Sequence, residues 1–220
     1  MASVAKYSDI TSINNILRHN DRLPKTYTNT DIDLTKSENN YYLSPTVGEG
    51  SYSLFKKRMD ELYCCRRKDV VKLCEWVISA PRGITPAEIK LFFQMVYDFL
   101  INRYYGGEKY CIQAVVHVDE KNWRGHMHYC FIPVIYDEKR HCDKVCCCQV
   151  INRQELRDWH PALQKYLNDN GLSKARVITG ITRDQRGNRS IYQLKNDIKK
   201  EKEEQADSDY VVKVEYSRIK

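Results

Sequence analysis

The sequence lacks any long apolar run: no stretch of its 220 residues approaches the length of a membrane helix, which needs about 20 consecutive apolar residues. Its first residues lack the basic-then-apolar order of a signal peptide. The chain also has no internal repeat and no low-complexity block. From these absences we expect a cytoplasmic protein with no membrane partner.

The nine cysteines lack the pattern of a secreted disulfide framework, because their number is odd and several are adjacent, as in Cys64 with Cys65 and Cys146–Cys148. We therefore expect reduced thiols. Separated CxxC pairs, a common spacing of zinc ligands, are also missing. A zinc site formed by Cys142 and Cys146–Cys148 is the alternative to small buried hydrophobic residues, which the pattern favours.

Positive charge is in only modest excess. The sequence has 36 Lys and Arg residues and 29 Asp and Glu residues, which gives a net charge of +7. Such a balance favours an anionic partner such as nucleic acid. A hydrophobic content of 42% predicts a globular fold. We expect one large domain at 1–195, followed at 196–220 by a charged helix or linker and a tail that could begin a truncated C-terminal region.

Hydrophobic periodicity predicts strands that alternate with helices. Thr85 with Glu88 and Asn152 with Glu155 form capping boxes at two helix starts, whereas β-branched and aromatic runs mark the strands. The predicted strands are 4–7, 70–79, 109–118, 126–136 and 175–183, and the predicted helices start at residues 10, 51, 85 and 152. The polar segment 24–50 is predicted to be a long surface loop.

Half of the six histidines lie on two predicted strands, 109–118 and 126–136, which a short polar loop joins as an antiparallel hairpin. Side chains two apart on a strand share a face, so His126 and His128 point the same way. With His117 beside them on the partner strand, three imidazoles can converge at about 5 Å. We therefore predict a divalent metal site with positions open for substrate; the alternative is ordinary hydrogen-bonded histidines.

Several ordered motifs extend this pattern. "HVDE" (117–120) with "GHMH" (125–128), "RHNDR" (18–22) and "NYYL" (40–43) resemble the HxDE...HxH, HNxR and NYxL motifs of the MobV relaxases. These are the Pre/Mob plasmid mobilisation and recombination enzymes of the His-hydrophobe-His endonuclease superfamily. "KDVVKLCEWVIS" and "INRQELRDWHPALQKYLNDNG" are similar to a strand and a helix of that family, so the resemblance covers roughly residues 1–195.

The resemblance implies an α+β, two-layer fold with a mostly antiparallel central sheet and helices packed on it. It also implies a bacterial, metal-dependent, site-specific endonuclease and strand transferase that nicks single-stranded DNA at a transfer origin and mobilises a plasmid or integrative element. The expected cofactor is Mn2+, with Mg2+, Co2+, Ni2+ and Zn2+ as alternatives. The expected partner is single-stranded or hairpin DNA. Accessory mobilisation proteins, or self-association through a missing C-terminal region, are further candidates.

The resemblance also implies roles for individual residues. His19 is the expected nucleophile, which leaves a 5′-phosphate on the enzyme and a free 3′-OH. Neutral imidazole is a competent nucleophile near pH 7, whereas tyrosine needs activation, so Tyr41 is the alternative. Arg22, on the same helical face as His19, is expected to hold the phosphate. Glu120 is expected to be a further metal ligand or to orient a ligand ring, with Asp119 competing for the second role.

One departure from the family pattern precedes the second histidine, where "KNWRG" is two residues longer and Gly125 stands in place of proline. A hairpin loop can lengthen without a change of strand register, so the three predicted ligands are kept. The loop tip is expected to contact DNA by stacking and phosphate contact. The expected DNA contacts are Asn20, Arg22, Asn40, Tyr41, Trp123, Arg124, Arg183 and Arg186.

Two other functions fit the same residues. A replication initiator or transposase of the superfamily would differ in the DNA that it nicks. A DNA-binding module whose histidines hold a structural zinc would not cleave DNA at all, and a covalent enzyme–DNA adduct distinguishes it from a relaxase.

Overall fold

The computed structural model of the chain describes residues 2–24, 26–27, 29–44, 50–120 and 124–177. These residues belong to one unit, Met1–Gly180, and a second unit, Ile181–Lys220, lies outside them. The predictions for Trp123, Arg183, Arg186, the tail and most of the strand at 175–183 therefore fall outside the described residues. Within the described part of the chain, no helix has both the length and the apolar character that crossing a bilayer requires.

Five antiparallel strands form the central sheet, in the spatial order β1-β3-β5-β4-β2. They are β1 (Ala2–Tyr7), β2 (Tyr41–Tyr42), β3 (Leu73–Ser79), β4 (Cys111–His117) and β5 (His126–Phe131). β4 and β5 pair directly, with His117 opposite His126. The predicted antiparallel hairpin is thereby confirmed, and it lies inside the sheet, with β3 on one side and β2 on the other.

The strand predicted at 126–136 is wrong in its extent. β5 ends at Phe131, and the following residues form β6 (Val134–Asp137), which pairs with β7 (Cys142–Val145) in a separate two-stranded sheet. Pro133 lies at the break, and proline has no N–H to donate to a ladder. Its carbonyl oxygen instead accepts from the backbone N–H of Cys146 at 2.8 Å.

Helices cover both faces of the sheet. They are α1 (Ile10–Asn20), α2 (Ser51–Asp60), α3 (Ile89–Arg103), the short α4 (Cys147–Val150) and α5 (Arg153–Asp169). The α1 and α2 side chains pack with Leu73 and Ile112 in one hydrophobic cluster. The α3 and α5 side chains pack with Trp76 and Val116 in another. The expected combination of an antiparallel sheet with packed helices is confirmed, with helices on the two faces rather than one.

Helix α1 brings the "RHNDR" segment to the sheet. It begins at Asp9, whose carboxylate accepts from the backbone N–H of Ser12 at 2.8 Å, a common N-cap. Ile13 and Leu17 are fully buried against the sheet. Beyond the last helical residue, Arg22 adopts a positive φ of 54°, which turns the chain away from the helix axis. His19 therefore lies in the last turn of a helix that is fixed against the sheet.

Of the two predicted capping boxes, one is complete, and the predicted long loop contains short elements. The Thr85–Glu88 box is present. At α5, Asn152 caps the helix, but the Glu155 carboxylate pairs with Arg103 at 2.7 Å. The segment predicted to be a surface loop at 24–50 contains a 3-10 helix, Leu34–Asn39, and supplies the edge strand β2. Its two-residue strand is too short to be recognised from periodicity.

The nine cysteines are free thiols, and four of them are buried: Cys74, Cys111, Cys130 and Cys147. Among the described residues, which include every cysteine, the groups of side chains with metal-ligand spacing contain histidine and carboxylates but no cysteine. The packing of the four buried thiols is that of small hydrophobic residues.

Candidate metal centre

Three imidazole rings converge on the α1 face of the sheet. His117 lies directly opposite His126 in the β4–β5 pair, and His128 lies two residues further along β5. Their ring centroids are 5.3 Å (His117–His126), 4.7 Å (His117–His128) and 4.9 Å (His126–His128) apart. One ligand atom from each ring lies within 4.8 Å of the others. The predicted convergence is confirmed, and the spacing suits a single divalent cation.

Hydrogen bonds fix which ring nitrogens remain for a cation. Nδ1 of His128 lies 2.8 Å from a Glu75 carboxylate oxygen, and Nε2 of His117 lies 2.8 Å from the carbonyl oxygen of Asn20. Nδ1 of His117 is buried and has no hydrogen-bond partner in the described part of the chain. Metal-ligating histidines commonly donate their second N–H to a carboxylate or a backbone carbonyl, so this donor set fits a transition-metal ion.

Burial keeps two of the three rings, His117 and His126, neutral. It lowers the pKa of His117 to about 2 and that of His126 to about 3, and the neighbouring His128 and Arg22 act in the same direction. Neutral imidazole is the protonation state that binds a metal. These two rings can therefore bind a cation at neutral pH without a prior loss of protons.

Glu75 supports the centre from β3, and the sequence reasoning missed it. Its carboxylate accepts from the Tyr7 hydroxyl at 2.7 Å and from the Asn20 amide at 2.9 Å, besides its contact with His128. Burial raises the pKa of Glu75, but these hydrogen bonds outweigh burial, and the pKa is lowered. The available signal was a single charged residue inside the apolar run "LCEWVIS" (73–79), since a buried charge needs partners.

Asp119 lies next to the metal centre and binds Arg22 rather than orienting a histidine. Its two oxygens accept from Nη2 and Nε of Arg22 at 2.7 and 2.9 Å, and they also accept from Ser37 and Asn40. Burial raises the pKa of Asp119, but the bonds from Arg22, Ser37 and Asn40 hold it well below its usual range. Asp119 is thus an ionised anchor that fixes the guanidinium.

Glu120 and His19 lie on either side of that guanidinium. Glu120 accepts from Nη2 of Arg22 at 3.0 Å and lies 3.8 Å from Nε2 of His126. Nη1 of Arg22 lies 3.5 Å from Nε2 of His19. Burial lowers the pKa of His19, with further lowering from Arg22 and His128. The structure therefore connects His19 to the carboxylates of the metal centre through one arginine.

Tyr41 lies on the other side of the sheet. It is directly opposite Val116 in the β2–β4 pair, and opposite residues in such a pair share a face. Val116 packs in the cluster formed with α3 and α5, and Nζ of Lys90 lies 5.6 Å from the Tyr41 ring centroid. Burial raises the pKa of Tyr41 to about 12. Position and protonation both argue against Tyr41 as a nucleophile or a DNA contact at this centre.

Other residues expected to contact DNA are engaged within the protein. Asn20 is buried, and its amide binds Glu75. Asn40 accepts from the Val118 N–H at 2.8 Å while donating to Asp119. The Arg124 guanidinium donates to the carbonyl oxygens of Pro81, Arg82 and Ile84. These bonds favour positioning roles for the three side chains.

The C-cap of α1, Asp21, is a second residue that the sequence reasoning missed. One of its oxygens accepts from the Tyr42 hydroxyl at 2.6 Å and from the Gln113 amide at 2.6 Å. These bonds attach the end of the helix to β2 and β4. Asp is common in and beside helix caps, so its position alone gave little signal.

Comparison with known proteins identifies relatives of the whole described domain. Residues 1–196 match the family model described as plasmid recombination enzyme, Mob_Pre. The chain is 26% identical over 210 residues to plasmid recombination enzyme type 1 of Staphylococcus aureus, a match that covers 91% of this chain and 49% of the relative. It is 32% identical over 135 residues to a plasmid recombination enzyme of Bacillus thuringiensis, covering 59% and 29%. The chain thus spans about half the length, or less, of these curated relatives.

Solved structures share the fold. The chain is similar to the MobM relaxase domain bound to oriT DNA of plasmid pMV158, in a Mn-bound crystal structure at pH 6.8, with a TM-score of 0.69, 22% identity, and coverage of 89% of this chain and 97% of that one. The same domain bound to 26-nucleotide oriT DNA gives a TM-score of 0.59 at 20% identity, covering 82% and 91%. Because the family model matches most of the sequence, the chain belongs to the plasmid recombination enzyme (Mob_Pre) family.

Proposed function

We propose that this chain is a relaxase domain, a metal-dependent enzyme that nicks single-stranded DNA at a transfer origin and rejoins it, so that a plasmid or integrative element is mobilised. One observation carries the proposal: His19 directly precedes Asn20, whose carbonyl oxygen accepts from His117 of the metal centre. A nucleophilic ring and three ligand rings therefore share one face of the sheet. The names of the relatives and the DNA bound to MobM support this function.

His19 is the proposed nucleophile. A ring nitrogen attacks the phosphorus of the scissile phosphodiester, so that an N–P bond forms while the P–O3′ bond breaks. The proton lost from the ring ends on O3′, which leaves a free 3′-OH and a 5′-phosphate joined to His19. Because burial and Arg22 lower the pKa of His19, its ring is neutral and nucleophilic at pH 7. The N–P bond retains the energy needed for rejoining.

Arg22 and Glu120 assist the nucleophile in this proposal. Arg22 orients His19 and offers a guanidinium to the phosphate, since its side chain is fixed by Asp119 and Glu120 before DNA arrives. Glu120 adds a carboxylate on the His126 side of the metal centre. Both groups are in place in the protein alone, which reduces the reorganisation that the reaction requires.

His117, His126 and His128 would hold the cation, whose contribution when bound is to polarise the non-bridging phosphate oxygens and stabilise the charge of the transition state. We propose Mn2+ because the similar MobM structures are Mn-bound. Mg2+, Co2+, Ni2+ and Zn2+ are the alternatives.

The proposed partner is single-stranded or hairpin DNA at a transfer origin, in the bacterial cytoplasm. Trp123, Arg183 and Arg186 remain proposed DNA contacts, and Asn20, Asn40 and Arg124 are proposed to position their neighbours. We also keep residues 1–195 as the proposed nicking domain and 196–220 as the proposed linker and tail. Accessory mobilisation proteins, or self-association through a further region, are proposed partners of the whole protein.

The test is covalent capture. The protein is incubated with Mn2+ and a single-stranded oligonucleotide that carries the origin of its host element, and protein mass is then measured. Wild type and Tyr41→Phe should gain the mass of the 3′ fragment with its 5′-phosphate, whereas His19→Ala should not. An adduct lost in Tyr41→Phe and kept in His19→Ala would contradict the assignment of the nucleophile, and no adduct in any variant would contradict the function.

A second measurement distinguishes the role of the histidines in metal binding from a role in DNA binding. His126→Ala and His128→Ala should each lose nicking while keeping much of their salt-dependent DNA affinity, because phosphate contacts supply most of that affinity. Fluorescence anisotropy at several salt concentrations checks this. Equal losses of binding and nicking would assign the histidines to DNA binding instead.

A further inference from the structure

A cleft of about 480 Å³ opens beside His19, next to helix α1. Its lining consists of Asn15, Arg18, His19, Pro24, Thr26 and Tyr27. The volume lies within the range of small-molecule sites. The lining combines an arginine, an amide, a hydroxyl and aromatic rings, and none of the six residues is acidic. These are the side chains that bind single-stranded nucleic acid through base edges, base faces and phosphates.

Helical spacing places three of these side chains together. Asn15, Arg18 and His19 are at positions i, i+3 and i+4 of α1, so they share one face of the helix. Asn15 and Arg18 are exposed. Across the described residues, neither side chain forms a hydrogen bond or an ion pair. The functional groups beside the nucleophile therefore keep their full hydrogen-bonding capacity for a ligand.

Tyr27 forms the opposite wall of the cleft. Its ring stands edge-on to His19, with centroids 5.2 Å apart and planes at 74°, and Cζ of Arg22 lies 5.6 Å from the Tyr27 ring centroid. The Tyr27 hydroxyl is shielded from solvent and finds no hydrogen-bond partner in the described part of the chain. This wall is thus held by the two residues closest to the proposed chemistry.

We propose that this cleft is a base-specific subsite for the nucleotide next to the scissile phosphate, with Arg18 as the residue that determines specificity. The inference rests on the proposed nicking function and adds sequence selection to it. Arginine pairs most often with guanine, through two parallel bonds to O6 and N7. Asn15 supplies a second edge contact, and Tyr27 bounds the base. The subsite therefore selects guanine beside the cut.

The experiment measures how the base at each position near the nick changes the rate of adduct formation. The nick is first mapped with wild-type protein, Mn2+ and the origin oligonucleotide. Oligonucleotides with each of the four bases at the positions flanking the nick are then compared in wild type, Arg18→Ala and Arg18→Lys. Arg157→Ala is the matched control, because Arg157 is exposed on α5, on the opposite face of the sheet.

Wild type and Arg157→Ala should prefer guanine at one flanking position by about fivefold or more, the discrimination expected of one bidentate pair. Arg18→Ala should lose that preference at that position alone. Arg18→Lys should lose it too while keeping more of the rate, because lysine retains the charge but not the planar fork. A preference unchanged in both Arg18 variants, or a rate loss equal for all bases, would overturn the subsite. Failure of wild type to form any adduct would instead overturn the nicking function, and the subsite with it.

Discussion

The carbonyl oxygen of Asn20 lies 2.8 Å from Nε2 of His117, so the residue that follows the proposed nucleophile holds a ring of the metal centre. The side chain of Asn20 makes a second connection, donating to Glu75 at 2.9 Å. Through these two bonds one residue attaches helix α1 to both β4 and β3. The relative position of nucleophile and metal ligands is therefore set by the fold before any ligand binds.

Replacement of Asn20 by alanine should lower the free energy of unfolding by about 2 kcal/mol, because a buried hydrogen bond to a charged group is lost. Asn20→Asp should cost more, since it sets a second carboxylate against Glu75. Urea unfolding measures both. Asn102→Ala, at an exposed position of α3, is the matched control and should change stability by less than about 0.5 kcal/mol. Equal losses for Asn20→Ala and the control would show that the Glu75 bond is not stabilising.

Glu75→Gln should weaken Mn2+ binding by about 10- to 100-fold, the usual effect of removing a carboxylate that orients a ligand histidine. Glutamine keeps the shape of the side chain but lacks the charge that polarises the His128 ring at 2.8 Å. Titration calorimetry on the protein without DNA measures the affinity directly. Glu38→Gln, at an exposed position, removes the same charge elsewhere and should leave the affinity unchanged. An affinity equal to that of wild type in Glu75→Gln would rule out the orienting role.

The histidine centre could be predicted from the sequence because its geometry is local. His126 and His128 share a face by the period of two, and the short loop to β4 makes His117 their neighbour. The role of Glu75 could not be predicted, because its contact with His128 depends on the pairing of β3 with β5. The register of that pair places Val77 opposite His128. Nothing in the local pattern specifies which distant strands become neighbours.

Tyr41 illustrates the same limit. The "NYYL" motif gave two adjacent tyrosines, and adjacent strand residues point to opposite faces. Only the pairing of Tyr41 with Val116 and of Tyr42 with Val115 decides which ring faces the histidines. The motif therefore identified the segment but could not identify the side chain that lies on the face of the metal centre.

Metal-free protein should lose stability as the pH falls below about 6.5. The pKa of His117 and that of His126 are lowered in the folded state, to about 2 and about 3, so the unfolded chain binds protons first. Each ring then contributes up to about 1.4 kcal/mol of lost stability per pH unit, from about pH 6.5 down towards its folded pKa. Urea unfolding in EDTA at several pH values between 7.5 and 4.5 measures the slope. His126→Gln should reduce the slope of unfolding free energy against pH by the equivalent of about one proton. Parallel curves for wild type and this variant would contradict the burial of a neutral His126.

Gly125 has a backbone conformation that favours glycine. Its φ is +100°, a conformation that strains any side chain and that proline, fixed near −65°, cannot adopt. Gly125→Ala should therefore lower the free energy of unfolding by roughly 1–2 kcal/mol, although a Cβ there would meet its nearest neighbours at a tolerable 3.4 Å. Gly125→Pro should be worse.

Substitution of Gly125 should also weaken Mn2+ binding. Gly125 directly precedes His126, and its carbonyl oxygen accepts from the Ala80 N–H at 3.0 Å. Gly171 is the matched control, since its φ is also positive, at 83°, but it follows the end of α5. We expect Gly125→Ala and Gly171→Ala to lose similar stability in urea, and only Gly125→Ala to lose Mn2+ affinity by calorimetry. If both variants kept full Mn2+ affinity, Gly125 would be needed only for the turn before β5. The position of His126 would then be set by the pairing of β5 with β3 and β4.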